Sequence, residues 1–174
     1  MTSKPTSPAT APAGTIGAAA GAGALAAHLA AAPSVTAGLL SWCEAHGIGE
    51  GPIRVLARSG GAPPASLAAL LGRAASGASF RRVVLGRGGI ALAEADNLFL
   101  AARLPAPMRA TLAGTDEPFG SVVAPLGPVR RTLTLRTGAE AGPGVVLAQE
   151  AVLVASDGSV LAAVAERFLP VLIR

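Results

Sequence analysis

The feature that most constrains the fold is a hairpin signal near the C-terminus, where Asp157-Gly158 stands between two apolar runs. An Asp-Gly pair flanked by strand-like sequence is typical of a turn between antiparallel strands. The returning run covers residues 159–169, and alternate residues of a strand share one face. One face of this run would carry Val160, Ala162, Val164, Glu166 and Phe168. The sequence therefore predicts an antiparallel sheet that holds one carboxylate among apolar side chains.

Two charged residues in strand-like runs are the first candidate site residues. Glu166 would lie on an apolar face, where an unpaired carboxylate costs several kcal/mol, so it is expected to be paired or to belong to a site. In residues 79–85, Arg81 shares a face with Val83 and Leu85, whereas Arg82 points to the other face. A buried guanidinium requires a carboxylate or phosphate, which it can bind with two parallel hydrogen bonds.

This pattern allows two arrangements of Arg81 and Glu166. They can converge on a pocket that offers one fixed cation and one acid/base group, which suits a small anionic ligand with a hydroxyl group. Alternatively, they can simply pair with each other inside the protein.

The rest of the chain predicts an α+β fold. Strand signals recur near residues 52–57, 79–86, 90–101, 130–137, 144–155 and 159–169, and helix signals cover 34–45, 67–73 and 104–113. Adjacent hairpins favour a six-stranded antiparallel sheet with the helices gathered on one face. The length of 174 residues and a hydrophobic content of 51% fit a single domain, expected over residues 34–174.

The N-terminal part differs in composition from this domain. Residues 1–14 are rich in Pro, Thr, Ser and Ala, which predicts a disordered tail. Residues 15–33 are mostly Ala and Gly and predict an Ala-rich helix. This segment lacks the Leu-rich core and basic start of a signal peptide, and Ala and Gly are nearly neutral in membrane transfer. We therefore expect a cytoplasmic protein with no membrane partner.

The charge pattern does not favour a nucleic-acid partner. The net charge is +4, but thirteen of the fourteen basic residues are Arg, scattered singly or in pairs. Aromatic residues for base stacking amount to only 3% of the chain. We expect a monomer that binds a small molecule.

No motif for a cofactor or metal is present in the sequence. It contains no P-loop, dinucleotide fingerprint or His-Glu-x-x-His motif, and its two histidines, His28 and His46, do not make a metal site. The single cysteine, Cys43, excludes an internal disulfide and is expected to be a small buried residue. A reaction carried out by this chain is therefore expected to need no cofactor.

Four separated segments resemble the chorismate lyase (chorismate pyruvate-lyase) family and its wider superfamily, which includes effector-binding domains of some bacterial transcription regulators. The segments are Ser34-Val35-Thr36, Phe80-Arg81-Arg82-Val83-Val84-Leu85, Thr115-Asp116-Glu117-Pro118-Phe119-Gly120 and Glu166-Arg167-Phe168-Leu169-Pro170. They span roughly residues 34 to 170 in the order and approximate spacing of the family. The resemblance implies a sheet whose helices cover a buried ligand site.

The resemblance also implies roles for individual residues. Arg81 would bind the substrate carboxylate and Glu166 the ring hydroxyl, and these two are the catalytic candidates. Phe119 would contact the ligand through its backbone, and Val35 would contact it as a hydrophobic residue. One departure lies in residues 94–97, where the family often carries a basic residue and this chain has Glu-Ala-Asp-Asn. Inward-facing carboxylates there would place negative charge near a dianion.

The function implied by the resemblance is cofactor-independent elimination of pyruvate from chorismate, which gives 4-hydroxybenzoate. The alternative is a non-catalytic domain that binds a small aromatic carboxylate, as effector-sensing relatives bind their ligands. A third possibility is a structural module in which Arg81 and Glu166 form an internal ion pair.

Overall fold

A computed structural model describes residues 13–174, and all structural statements below concern these residues. The strands are β1 (Arg54–Ser59), β2 (Ser79–Arg87), β3 (Ile90–Phe99), β4 (Val129–Thr137), β5 (Leu147–Val154) and β6 (Val160–Phe168). The helices are α1 (Ala13–Ala31), α2 (Val35–Ala45), α3 (Ala65–Leu71), α4 (Ala106–Gly114) and α5 (Phe119–Val123), with short 3-10 turns between several elements. The predicted tail, residues 1–14, lies almost wholly outside the described residues.

The six strands form one sheet in the order β1-β2-β3-β6-β5-β4, and every neighbouring pair is antiparallel. The predicted fold class, a single α+β domain with a six-stranded antiparallel sheet, is confirmed. The Asp157-Gly158 signal falls in the β5–β6 hairpin, where Gly158 has a φ of +83° that favours glycine. The central pair, β3 and β6, connects the two halves of the sheet.

Two apolar clusters cover one face of the sheet. Helices α1 and α2 contribute Leu25, Leu29 and Leu39 to the first cluster, which packs on the β2–β3 half. Helices α4 and α5 contribute Leu112 and Phe119 to the second cluster, which packs on the β5–β6 half. The space between these clusters, above the middle of the sheet, is where a ligand site can form.

Helix α3 lies on the opposite face, which differs from the expected one-sided arrangement. Leu67 and Leu71 are one helical turn apart and pack with Leu98, Ala163 and Ala165. These strand residues alternate with the ones that face α2 and α5. Strand β6 is buried on both faces, so its sequence is a nearly continuous apolar run. Such a run does not indicate which face a given helix covers.

The Ala-rich N-terminal segment is helical in α1 and packs against α2. Leu25 and Leu29 of α1 are almost fully buried in the first cluster. Within residues 13–174, no helix is both long enough and apolar enough to cross a membrane.

Candidate ligand-binding site

A cavity of about 700 Å³ lies between the sheet and the N-terminal ends of α2 and α5. Its floor is formed by strand side chains that point to the same face: Val83, Ala95, Asn97, Leu153, Val164 and Glu166. Its roof comes from residues 33–37 and 117–121. Most of this wall is apolar, so the few polar groups in it decide which ligand can bind and in which orientation.

The roof depends on a close approach between α2 and α5. The Ser34 hydroxyl accepts a hydrogen bond from the Ala37 amide at 3.1 Å and so caps α2. A Cβ atom added at Gly120 would lie only 2.9 Å from Thr36 Oγ1, so a larger residue would require the Thr36 side chain or the helices to shift. The arrangement places Val35 and Phe119, two of the predicted ligand contacts, in the cavity wall.

Glu166 lines the cavity and is held by two side chains. Arg130 donates from Nη2 to Glu166 Oε2 at 2.5 Å and from Nη1 to Oε1 at 3.3 Å. Gln149 donates from Nε2 to Oε2 at 2.9 Å. Glu166 is 7% exposed. Both carboxylate oxygens therefore accept hydrogen bonds from protein side chains.

Arg130 and Gln149 were not among the predicted site residues. Arg130 lies in β4 and reaches Glu166 in β6 across the intervening strand β5, so its role depends on long-range sheet order. A local signal did exist, because Arg130-Arg131 is an Arg pair in a strand, like Arg81-Arg82. One residue of each such pair must point toward the helix-covered face.

Arg81 lies on the same face as Glu166 but is not among the residues that line the cavity. Its guanidinium donates to the Glu117 carbonyl at 2.9 Å and to the Leu112 carbonyl at 3.4 Å, which ties the α4–α5 connection to the sheet. Burial lowers its pKa to about 10, and the positive charge of Arg58 acts in the same direction. The possible internal ion pair with Glu166 is wrong, because the salt-bridge partner of Glu166 is Arg130.

The two carboxylates of the segment 94–97 point away from the cavity. Asp96 is fully buried on the opposite face, where Arg82 donates to it at 2.6 and 3.0 Å. Arg167 donates to Asp96 at 3.4 Å and to Glu94 at 3.1 Å. Asn97, the next residue, faces the cavity. The departure from the family pattern therefore adds no carboxylate to the site.

Two further polar features complete the cavity wall. Arg54 and Glu117 form an ion pair at a more exposed position, where their side chains are 46% and 36% exposed. Asn97 is only 4% exposed, and its Nδ2 atom has no hydrogen-bond partner among the described residues.

Cys43, His28 and His46, which the sequence analysis considered for thiol or metal chemistry, do not line the cavity. Cys43 is fully buried in α2, and burial raises the pKa of its thiol. His28 and His46 both contact the Trp42 ring, whose Nε1 donates to the Leu172 carbonyl at 2.9 Å. In residues 13–174, no group of three or more His, Cys, Asp or Glu side chains could hold a metal ion.

No family model matches this chain, and no curated protein matches its sequence. Solved structures do resemble it. PhnF from Mycobacterium smegmatis has a TM-score of 0.51 at 17% identity, and the match covers 74% of this chain and 61% of that chain. The effector domain of the same protein has a TM-score of 0.47 at 17% identity, covering 68% and 80%. The ligand-binding domain of a putative GntR-family regulator from Bordetella bronchiseptica has a TM-score of 0.43 at 15% identity, covering 70% and 84%.

At these identities the likeness shows a shared fold and no more. The architecture is the one that the sequence resemblance implied, and PhnF shares it. The site itself offers an apolar chamber, an ion-paired carboxylate and a buried amide. This arrangement can hold a compact, mostly apolar molecule that carries polar groups at defined positions.

Proposed function

We propose that this chain binds a small aromatic carboxylate in the cavity between the sheet and helices α2 and α5. The observation that carries the proposal is the cavity wall, which is largely apolar and contains only a few polar groups. An aromatic ring would fill the apolar part without leaving polar groups unpaired. The polar substituents of the ring would then fix its orientation.

Each residue named by the sequence resemblance receives a role in this proposal. Val35 and Phe119, both in the cavity wall, contact the ring, and Phe119 adds a backbone group. Glu166 accepts a hydrogen bond from the ring hydroxyl, while Arg130 keeps the carboxylate in place. Arg81 contributes the positive charge that favours an anionic ligand, although its guanidinium is bonded to the Leu112 and Glu117 carbonyls.

Binding is supported over turnover by the hydrogen bonds of Glu166. A general acid or base must exchange a proton with the substrate during the reaction. Both oxygens of Glu166 already accept hydrogen bonds from Arg130, and Oε2 accepts a further one from Gln149. This arrangement suits a fixed acceptor better than a group that must gain and lose a proton.

Chorismate lyase activity is the second candidate function, because Glu166, the residue expected to act on the substrate, does line the cavity. In this reaction the bond between the ring carbon and the ether oxygen of chorismate breaks and enolpyruvate leaves, which takes up a proton to become pyruvate. The ring carbon that bears the hydroxyl loses a proton, and the ring becomes aromatic as 4-hydroxybenzoate. The residues at the site would supply orientation, exclusion of water and charge placement.

Calorimetric titration with 4-hydroxybenzoate, beside incubation with chorismate followed by ultraviolet absorbance, tests both functions. The proposal predicts saturable one-to-one binding of 4-hydroxybenzoate and no product from chorismate. Absence of binding would overturn it. If chorismate is converted and the rate of product formation falls about 10²- to 10⁴-fold in Glu166→Gln, the protein is a chorismate lyase instead.

A further inference from the structure

Asn97 is a buried polar residue whose hydrogen bonding is incomplete. It lies in β3, is 4% exposed and lines the cavity, and its Nδ2 atom has no partner among the described residues. Buried polar groups are nearly always hydrogen-bonded, because an unmade bond costs much of the desolvation free energy of the group. The amide therefore has a donor that the described residues leave unused, and it stands beside a cavity that a ligand can enter.

The charge next to Asn97 indicates the type of partner. Asn97 stands directly opposite Arg81 in the β2–β3 pair, so their Cβ atoms are about 4.5–5.5 Å apart. Arg81 is 8% exposed, has no salt-bridge partner in residues 13–174, and its Nε atom also lacks a hydrogen-bond partner. The nearby carboxylate of Asp116 is paired with Arg58. A positive charge without a salt-bridge partner among the described residues therefore lies next to Asn97, outside the cavity wall.

We propose that Asn97 is the direct binding partner of the ligand carboxylate, with Arg81 behind it as the counter-charge. This inference rests on the proposed function and deepens it, because it assigns the carboxylate end of the ligand. A half-turn of the amide directs its NH₂ group into the cavity, where it donates to a carboxylate oxygen. The ligand class is an aromatic acid whose acid group points to β2 and β3.

The register of the sheet sets the distance to the other end of the ligand. Glu166 pairs with Ala95, two residues from Asn97, so Glu166 and Asn97 are diagonal neighbours about 7–8 Å apart. A single aromatic ring with polar groups at opposite ends can bridge this separation. The carboxylate at Asn97 and a hydroxyl at Glu166 would then both be bound at once.

The test uses Asn97→Leu, which keeps the approximate shape of the side chain and removes its polar atoms. Calorimetric titration with benzoate and with 4-hydroxybenzoate should show that both bind roughly 10- to 100-fold more weakly, by similar factors, because both carry the carboxylate. Thermal denaturation of the ligand-free variant should show a Tm that is unchanged or up to about 5 °C higher, because an unpaired buried amide has been removed.

Gln149→Leu is the matched control, since it also replaces a buried amide, but one that donates to Glu166. Its ligand-free Tm should fall. A fall of similar size in Asn97→Leu would overturn the inference, because the amide would then be structural. Equal binding by wild type and Asn97→Leu would also overturn it while leaving the proposed function intact.

Loss confined to 4-hydroxybenzoate would assign Asn97 to the hydroxyl and contradict the proposal. No binding of either acid by the wild type would overturn the proposed function, and this inference with it.

Discussion

Arg130 in β4 binds both carboxylate oxygens of Glu166 in β6, and it does so across the intervening strand β5. This pair joins the edge of the sheet to its centre at the wall of the cavity. Glu166 is nearly buried, and the side chain of Arg130 is 21% exposed. The pair therefore contributes to the fold as well as to the shape of the candidate site.

Removal of Arg130 should destabilise the protein. Arg130→Gln leaves Glu166 with Gln149 as its remaining donor, and breaking a buried pair from one side leaves an uncompensated charge. We expect the free energy of unfolding to fall by about 3 kcal/mol, measured by urea denaturation. The control is Arg131→Gln. Arg131 is exposed on the same strand, so this change should alter the free energy of unfolding by less than about 0.5 kcal/mol. Equal effects of the two changes would show that the ion pair has no special role.

Arg82 should matter for stability and not for the ligand. It donates two hydrogen bonds to the fully buried Asp96, on the face opposite the cavity. Arg82→Gln should lower the free energy of unfolding by about 2 kcal/mol, because Asp96 keeps only the longer contacts from Arg167. The affinity for 4-hydroxybenzoate, measured below the unfolding transition, should stay the same. A large loss of affinity with unchanged stability would mean that the ligand binds on the other face.

These residues also show which features of the fold and of the site can be predicted from the sequence. The alternation in residues 159–169 and the Asp157-Gly158 signal predicted the hairpin and the inward position of Glu166, because both depend on local geometry. The ion pair with Arg130 could not be predicted, since it depends on the order of strands across the sheet. The hydrogen bonds of Arg81 to the Leu112 and Glu117 carbonyls could not be predicted either, because every residue has a main-chain carbonyl and no residue type indicates it as an acceptor.

The β5–β6 hairpin should lose stability in acid through Asp157. Hydrogen bonding from Ser159 holds the pKa of Asp157 below its ordinary value. A carboxyl group with a lowered folded-state pKa stabilises the protein above its unfolded-state pKa, and that contribution is lost as the pH falls through the folded-state pKa. The stability difference between wild type and Asp157→Ala, measured by denaturation from pH 7 to pH 2, should therefore shrink below about pH 4. A difference that stays constant over this range would contradict the assignment.

Cys43 should be unreactive in the folded protein. It is fully buried, and burial raises the pKa of its thiol, whereas the thiolate is the form that attacks an alkylating reagent. Iodoacetamide at pH 8 should label the native protein far more slowly than the protein in denaturant, as followed by mass spectrometry. Rapid labelling of the native protein would mean that α2 opens or that the thiol is accessible.

A titration followed by nuclear magnetic resonance can locate an aromatic carboxylate in the cavity beneath α2 and α5. Addition of 4-hydroxybenzoate to ¹⁵N-labelled protein should shift the amide signals of Val35, Gly120 and Val164, which line the cavity. The amide signals of Leu67 and Leu71, on the opposite face, should remain in place. Shifts confined to α3 and the Arg82–Asp96 face, or no saturable shift at all, would show that the ligand does not bind in this cavity.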